Sequence, residues 1–506
     1  MTLLQPLTEP LTDQAADALV LGLRGGSTPE VAGARALPAD TAAYLADAVS
    51  TLGLKGQPDE VTRLVAVPGV AAATVVLSGL GTSGDGYGTG PGDGTGSETG
   101  AEALRRAAGA ALRSVVGRAT SVVVSLPVTS ASAVRAVGEG AYAGCYRYAG
   151  RASGEGVTSV LVDTSEVPDA ADALTRAEAV GRARTLAMDL TNTPPNLLTP
   201  PLFVDRVREL VAATGDATAD APVELEVMTE VELAQAGCGG ILGVGQGSAA
   251  PPRMVRLSYT PAGASAHVAL VGKGITFDTG GLRLKPITGM LHMKTDMEGA
   301  AVVAGAFFAA VDLALPVRVT AYLALAENMV DGNSQRPSDV VTMHNGMTVE
   351  VLDPDAEGRM VLADGMSLAG ELAPDVLLDI ATLTGMQAIG LGQRVAGLLG
   401  NDERFRATVR SLGQEAGEAM WEIPLVEDYR ASLETPVADI AHKAAAEGGM
   451  ITAALFLREF VTPGTPWAHI DMAGPGRTDR AYGHTPKGAT GFGVGTLVRL
   501  LESYAG

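Results

Sequence analysis

Short apolar runs alternate with helix-like segments along most of this chain of 506 residues. The runs include "ATVVLSGLG", "VALVG" and "PDVLLDIATL", and "AEALRRAAGAALRSVVG" is typical of the segments between them. Apolar runs of strand length that alternate with helices are typical of a largely parallel sheet. The sequence therefore predicts an α/β fold of two domains, each with a mixed, largely parallel sheet flanked by helices.

A proline-rich break indicates where the two domains meet. Single hydrophobic cores stop growing near ~250–300 residues, so a chain of this length needs more than one. Residues 168–190 have the pattern of one helix, which "TNTPPNLLTPP" ends with four prolines. We predict an N-terminal α/β domain over 1–167, a linker helix over 168–190 and a second α/β domain over 191–506.

The first domain contains a glycine-rich stretch at 79–100, "GLGTSGDGYGTGPGDGTGSETG". Gly79, Gly81 and Gly84 match the G-x-G-x-x-G pattern of dinucleotide-binding folds, after a strand and before a helix. Those folds place an acidic residue at the end of a second strand ~20 residues later. Here that place falls in further glycines and then in a helix. We therefore interpret the stretch as an exposed, flexible loop.

Charge, cysteine content and the N-terminus exclude several classes of protein. The net charge of −21 opposes binding to nucleic acid. The two cysteines, Cys145 and Cys238, form no C-x-x-C pattern and no disulfide framework. Glu9 and Asp13 precede the first apolar stretch, which is unlike a signal peptide, and no apolar stretch is long enough to cross a bilayer. These features predict a cytoplasmic protein without a membrane partner.

Charged residues interrupt the apolar pattern of the second domain in three places. They are Lys273, Asp278 and Lys285 in "VGKGITFDTGGLRLKP", Asp296 in "HMKTDMEGAA", and Asp353, Asp355, Glu357 and Arg359 in "VLDPDAEGRMVLADG". Each place has an ordinary structural explanation. An aspartate before a helix can cap it, as can an Asp-Pro pair, and Lys273 and Asp278 could form a simple ion pair.

Taken together, the charged residues favour a metal site. Crevices beyond the carboxyl ends of parallel strands are where open α/β sheets bind ligands. Asp278, Asp296, Asp355 and Glu357 would repel one another there unless cations joined them. Two divalent metals bridged by carboxylates would resolve this repulsion. Dications also disfavour a protonated amine, so Lys273 could serve as a neutral nitrogen ligand.

Histidine, the more usual nitrogen ligand, is scarce. The chain has six histidines, and none occurs in H-E-x-x-H spacing. His292 lies nearest to the charged clusters, and we interpret it as a surface residue or a neighbour of the ligands.

These motifs resemble the leucyl aminopeptidases, also called cytosol aminopeptidases. The family signature N-T-D-A-E-G-R-L stands here as "DPDAEGRM" at 353–360, and "VGKGITFDTGG", "MKTDMEGAA" and "DIATLTG" support the likeness. It covers essentially all of 185–506 and is weak over the first domain. The resemblance implies that residues 191–506 form a catalytic metallopeptidase domain.

The resemblance also implies a role for individual residues. The ligands of two divalent ions, Mn²⁺ or Zn²⁺, would be Lys273, Asp278, Asp296, Asp355 and Glu357. Two further residues, Lys285 and Arg359, would assist catalysis without ligating metal, Arg359 by holding a bicarbonate ion. The residues expected to contact substrate are Met293, Thr382, Leu383 and Gly385.

The implied reaction is hydrolysis of the N-terminal residue, preferably leucine or another apolar residue, from peptides with a free N-terminus. A water molecule activated by the two metals would be the nucleophile. The resemblance further implies a cytoplasmic homo-hexamer that serves peptide catabolism. The identity of the metals and the natural substrates stay open at this point.

The chain departs from the family pattern beside the site. Asp353 replaces the usual asparagine, and Pro354 replaces the usual threonine. Thr295 and Glu298 stand where the family typically has tyrosine and a small residue or cysteine. The additional carboxylate at Asp353 could change metal preference or affinity.

Two other functions remain to be weighed. A dinuclear phosphoesterase also uses two metals, but it would need histidine-rich ligation and a phosphate clamp, and no G-x-x-x-x-G-K-[ST] motif occurs. A non-catalytic assembly or nucleic-acid-binding protein is the second alternative. The strong negative charge and the absence of a basic stripe argue against it.

Overall fold

The computed structural model describes residues 2–33, 37–82, 100–151, 155–165, 167–168, 170–215, 221–444 and 447–506. Most of the glycine-rich stretch at 79–100 lies outside the described residues. The chain divides into two compact units, Met1–Thr185 with Asp479–Gly488, and Leu186–Thr478 with Ala489–Gly506. Among the described residues, no helix combines the length and the apolar character needed to cross a bilayer.

The first unit is built on a seven-stranded sheet. Its strands are β1 (Leu3–Pro6), β2 (Ala18–Arg24), β3 (Glu30–Ala32), β4 (Val61–Val65), β5 (Thr74–Gly81), β6 (Ser121–Ser125) and β7 (Ser159–Val162). The order is β1-β7-β6-β2-β5-β4, with β3 paired to β2. Among the strand pairs of the described residues, β4–β5 and β2–β3 are antiparallel and the others are parallel, so the sheet is mixed and largely parallel.

The described residues of this unit include helices α1 (Ala39–Leu52), α2 (Ala101–Val115) and α3 (Ala131–Gly144). The division between the two units falls within helix α4 (Ala170–Asn192).

The second unit is built on an eight-stranded sheet and a small three-stranded sheet. Its strands are β8 (Glu224–Met228), β9 (Arg253–Tyr259), β10 (His267–Asp278), β11 (Arg318–Asn328), β12 (Val340–Thr342), β13 (Thr348–Glu350), β14 (Val376–Ala381), β15 (Ala396–Gly400), β16 (Met420–Glu422), β17 (Ile440–Ala441) and β18 (Trp467–Asp471). Two short strands follow, β19 (Arg477–Thr478) and β20 (Gly488–Ala489).

The helices of this unit are α5 (Pro200–Thr214), α6 (Glu230–Gln235), α7 (Gly239–Gly245), α8 (Ile287–Met290), α9 (Glu298–Asp312), α10 (Gly358–Gly370), α11 (Gly385–Leu391), α12 (Glu403–Glu415), α13 (Gly449–Arg458) and α14 (Val494–Ser503). The large sheet has the order β16-β15-β18-β14-β10-β11-β9-β8. Its four central strands, β18, β14, β10 and β11, run parallel, while β9 and β8 join one side antiparallel. The predicted mixed α/β fold is confirmed.

Strand β10 is longer than its apolar run suggested. The sequence indicated a strand at 268–272, but the structure continues it to Asp278. The extension is almost entirely buried, because it pairs with β11 as far as Asn328 and helix α9 packs across β10. A Cβ atom added at Gly272 would lie 2.6 Å from Ala300 Cα, and one at Gly299 would lie 2.3 Å from Ile380 O. Glycine at both positions therefore lets α9 approach the sheet closely, just after Asp296.

Candidate active site

The charged residues singled out in the sequence meet beyond the carboxyl edge of the large sheet. Lys273 lies within β10, and Asp278 is the last residue of that strand. Asp296 ends the short 3₁₀ turn Met293–Thr295, just before α9. Asp355 lies in the 3₁₀ turn Pro354–Ala356, and Glu357 follows it directly before α10. Parallel strands end at one edge of a sheet, which is why these separate segments converge.

Lys273 lies at the buried end of the cluster and is only 2% exposed. Its Nζ lies 2.8 Å from Asp296 Oδ1 and 3.0 Å from Glu357 Oε1, and it donates to the carbonyl oxygen of Thr382 at 2.9 Å. Burial alone would lower the pKa of Lys273, but the carboxylates of Asp296 and Glu357 outweigh burial and raise it. These contacts suit an ammonium ion, which has three protons to donate.

Lys285 lies at the more open end. Its Nζ is 2.7 Å from Asp278 Oδ2 and 2.5 Å from Asp355 Oδ1, and 17% of its side chain is exposed. Burial would lower its pKa, but the surrounding carboxylates, first Glu357 and Asp278, raise it. Lys285 is therefore the lysine of the pair whose charge a bound molecule could reach.

Asp278 is held in place by contacts beyond Lys285. Its Oδ1 accepts hydrogen bonds from the Gly280 N–H at 2.7 Å and from Asn328 Nδ2 at 2.8 Å. Burial and then the nearby charge of Glu357 raise the pKa of Asp278 to about 6. Sequence reasoning missed Asn328, which ends β11 as Asp278 ends β10. A polar residue closing a buried apolar strand was the available signal.

Three carboxylate oxygens of the cluster are buried without a hydrogen-bond partner among the described residues, Asp296 Oδ2, Asp355 Oδ1 and Glu357 Oε2. Of these, Asp355 Oδ1 has the ion pair with Lys285, whereas Asp296 Oδ2 and Glu357 Oε2 have no such contact. A buried polar atom without a partner costs about 1–3 kcal/mol, and a charged one costs more. In addition, one oxygen from each of Asp278, Asp355 and Glu357 lies within 4.8 Å of the other two. Oxygen atoms grouped this closely can hold a divalent cation.

The net negative charge of the cluster also favours the binding of cations. Asp278, Asp296, Asp355 and Glu357 can carry four negative charges, and two lysines supply two positive ones. Burial raises the pKa of Asp296 to about 8 even though Lys273 lies beside it. Additional positive charge would therefore stabilise the ionised carboxylates. The donor set fits one or two divalent ions.

Arg359, the second residue of α10, is buried and 5% exposed. Its Nη1 donates to the carbonyl oxygen of His442 at 2.9 Å, while its Nε has no partner among the described residues. Burial lowers the pKa of Arg359 to about 10, so the guanidinium stays charged at neutral pH. A buried, charged donor of this kind suits an anion.

The residues expected to contact substrate lie in two segments. Thr382 follows β14, and its Oγ1 donates to Asp296 Oδ1 at 2.8 Å. The N–H of Leu383 donates to Asp471 Oδ1 at 3.2 Å. Gly385 is the first residue of α11 and is exposed, and Met293 begins the 3₁₀ turn that leads to Asp296. Thr382 therefore touches the carboxylate cluster directly, whereas the contacts described for Leu383 are with Asp471 and the core.

Gly358 lies tightly against Lys273, and this contact yields a prediction. A Cβ atom at Gly358 would lie 2.5 Å from Lys273 Cε and 2.7 Å from Nζ. Overpacking costs about 1–3 kcal/mol, and the better helix propensity of alanine returns up to about 1 kcal/mol. We expect Gly358→Ala to lower the free energy of unfolding by about 1–2 kcal/mol in urea titrations.

The matched control is Gly390→Ala in α11, where an added Cβ atom meets nothing within 4 Å. That variant should be as stable as the parent or slightly more stable. Equal stability of the Gly358→Ala variant would show that Lys273 moves aside freely.

Comparisons with known proteins show similarity to one family over nearly the whole chain. The model of the cytosol aminopeptidase family, catalytic domain, matches residues 185–498, and that of its N-terminal domain matches residues 20–155. A probable cytosol aminopeptidase of Micrococcus luteus is 46% identical, over 98% of this chain and 97% of its own. One from Streptomyces avermitilis is 45% identical, over 99% and 98%.

Two solved structures extend the comparison. The bottromycin maturation enzyme BotP in complex with Mn is 37% identical, with a TM-score of 0.83, and the match covers 97% of this chain and all of that one. A mutant of tomato leucine aminopeptidase is 26% identical, also with a TM-score of 0.83, over 99% of this chain and 97% of that one.

Proposed function

The chain belongs to the cytosol aminopeptidase family, and from this premise we propose that it removes the N-terminal residue from peptides with the help of two divalent metal ions. The observation that carries the proposal is the buried carboxylate cluster, in which Asp296 Oδ2 and Glu357 Oε2 lack partners among the described residues. We propose residues 191–506 as the catalytic domain, preceded by a linker helix over 168–190 and an N-terminal domain over 1–167.

The proposed ligands divide into two overlapping sets. Asp278 and Glu357 would hold both ions, Lys273 and Asp296 would complete one site, and Asp355 would complete the other. The close oxygens of Asp278, Asp355 and Glu357 support the second set. In the first set, Lys273 has the contacts of an ammonium ion, so ligation requires that a dication replace its proton.

Manganese and zinc are the proposed ions. Oxygen ligands suit manganese, and the single amine suits zinc as well. The BotP structure, which is in complex with Mn, supports manganese for a chain this similar. When bound, the ions activate a water molecule and polarise the scissile carbonyl group.

Lys285 has the geometry of an electrostatic catalyst. Its ammonium group lies between Asp278 and Asp355 and is partly exposed, unlike that of Lys273. We assign it to the negative charge that develops on the carbonyl oxygen during hydrolysis. A charged donor fixed in advance stabilises that charge without reorganising.

Arg359 is assigned a binding role, because arginine is not a base at neutral pH. Its Nε is buried and has no partner among the described residues, which leaves a donor with which Arg359 could hold a bicarbonate ion. The carbonyl oxygen of His442 fixes the other side of the guanidinium. Arg359 would thus hold the bicarbonate ion, which would supply a base beside the attacking water.

The preferred N-terminal residue is proposed to be leucine or another apolar residue. Met293 lies in the turn before Asp296, and Leu383 packs against a hydrophobic core of the second unit. Both supply apolar side chains beside residues of the cluster. Thr382 and Gly385 complete the proposed contacts with substrate. Methionine is an adaptable wall for apolar groups of different shape.

The assembly and location follow from the family resemblance alone. We propose a cytoplasmic homo-hexamer that acts in peptide catabolism. Light scattering of the purified protein would measure the number of subunits.

The proposal predicts that hydrolysis needs both a free N-terminus and bound metal. A leucyl reporter should be cleaved, and its N-acetylated form should not, because the acetyl group removes the amine that defines an aminopeptidase substrate. Chelation should abolish cleavage, and added Mn²⁺ or Zn²⁺ should restore it. The measurement is the release of the reporter group, with metal content determined by mass spectrometry on the same samples.

Either of two results would contradict the proposal. One is undiminished cleavage of the N-acetylated reporter. The other is full activity in protein shown to contain no metal.

A further inference from the structure

Asp353 lies beside the proposed metal ligands and is not one of them. It is 5% exposed, and its Oδ1 accepts a hydrogen bond from the N–H of Asp355 at 3.0 Å. This bond caps the 3₁₀ turn Pro354–Ala356, which carries Asp355. The orientation of Asp355 toward Lys285 therefore depends on a side chain two residues earlier.

The other oxygen of Asp353 joins two further segments. Oδ2 forms ion pairs with Arg283 and with Lys443. Arg283 belongs to the loop after β10, two residues before Lys285, and Lys443 follows β17. One carboxylate thus connects the loop of Lys285, the turn of Asp355 and the segment after β17.

The segment after β17 also holds Arg359. The carbonyl oxygen of His442 accepts from Arg359 Nη1 at 2.9 Å, and His442 Nε2 lies 2.9 Å from the carbonyl oxygen of Asp353. His442, which positions Arg359, therefore contacts the backbone of Asp353 and directly precedes Lys443 in the chain. Loss of the ion pair between Asp353 and Lys443 should therefore alter the positions of both Asp355 and Arg359.

The charge of Asp353 is satisfied by protein groups. Its Oδ1 accepts from the Asp355 N–H, and its Oδ2 pairs with Arg283 and Lys443. Both carboxylate oxygens are already engaged. The additional acid therefore does not compete with the four carboxylates of the cluster for a metal ion.

We infer that Asp353 is a positioning residue that fixes Asp355 for metal binding, through an ionic tie to Lys443 and, more weakly, to Arg283. Lys443 is the stronger partner because 29% of its side chain is exposed, against 61% for Arg283. Exposed ion pairs contribute little. The inference rests on the proposed function, since it needs a metal at Asp355.

The test measures metal affinity by chelator competition, together with kcat, KM and thermal unfolding. We expect Asp353→Ala to weaken binding of the more weakly held ion by about 10–100-fold, as is typical when a residue that orients a ligand is removed. Asp353→Asn should lose less, because an amide oxygen can still accept from the Asp355 N–H. In both variants kcat should fall while KM changes little.

Variants of the two residues that pair with Asp353 still test the inference if Asp353→Ala does not fold. Lys443→Met should weaken binding of the same ion by about threefold. Arg283→Met should weaken it less, because the more exposed ion pair contributes less. The matched control is Asp339→Ala, which removes a peripheral ion pair with Arg336. It should change neither metal affinity nor kcat.

Failure of the proposed function and failure of this inference alone would give different results. Parent protein that binds no metal would overturn the proposed function and this inference together. Parent protein that binds two ions, with the same affinity in the folded Asp353 variants or in Lys443→Met, would overturn the inference alone. A lower unfolding temperature with unchanged metal affinity and kcat would show that Asp353 only supports the fold.

Discussion

Replacing Glu357 by glutamine should remove both bound metal and activity. Glu357 is the proposed bridge between the two ions, and it is 3% exposed at the centre of the carboxylate cluster. The amide keeps the shape of the side chain but loses its negative charge and one good ligand atom. We expect kcat/KM for a leucyl reporter to fall by more than about 10³-fold, because the water is then no longer activated at neutral pH.

The fold should survive this substitution. Burial would raise the pKa of Glu357, but Lys273 and Lys285 outweigh burial and lower it, which favours the ionised form. Glutamine removes one charge from a cluster that carries an excess of negative charge, so global unfolding is not expected. The matched control is Glu371→Gln at the opposite end of α10, where the side chain is exposed and pairs with His344. Full metal content in the Glu357→Gln protein would contradict the bridging role.

Replacing Lys285 by alanine should separate catalysis from metal binding. Its ammonium group contacts Asp278 and Asp355, so its removal leaves these carboxylates more negative. Metal affinity should therefore stay the same or increase. The rate should nevertheless fall by about 10²–10³-fold, the usual cost of losing one donor to a developing oxyanion.

The informative comparison is kcat at saturating metal, measured beside metal content per chain. Lys487→Ala, which alters an exposed lysine, is the control and should match the parent in both. If Lys285→Ala lost metal in proportion to activity, Lys285 would have to be counted among the groups that build the metal site. If it kept both, the assignment to the oxyanion would be wrong.

The α/β architecture could be predicted from the sequence because it depends on patterns among residues that are close along the chain. Apolar runs of strand length and helical spacing between them record which face of each element is buried. The mixed α/β fold of both units was predicted in this way. The extent of β10 was not, since Lys273 and Asp278 look like the end of a strand until their neighbours are known.

Only some residues of the candidate active site could be predicted from the sequence. Lys273, Asp278, Asp296, Asp355 and Glu357 stood out as charges among apolar residues, and the structure brings all of them together. Asn328 and Asp471 did not stand out. Each closes a buried strand and holds a neighbouring segment through hydrogen bonds, and a single polar residue after an apolar run is too common a pattern to single out.

By itself, the sequence determined the chemistry available to this protein: the residue types that stand at the ends of its buried strands and the family signature around Asp355. Only the tertiary structure decided which charges meet. Lys273 pairs with Asp296 and Glu357, Lys285 with Asp278 and Asp355, and Asp353 with a lysine 90 residues away. The physical reason is that periodicity is fixed by neighbours along the chain, whereas these pairs depend on the order of strands in the sheet and on the close packing of α9 and α10 against β10.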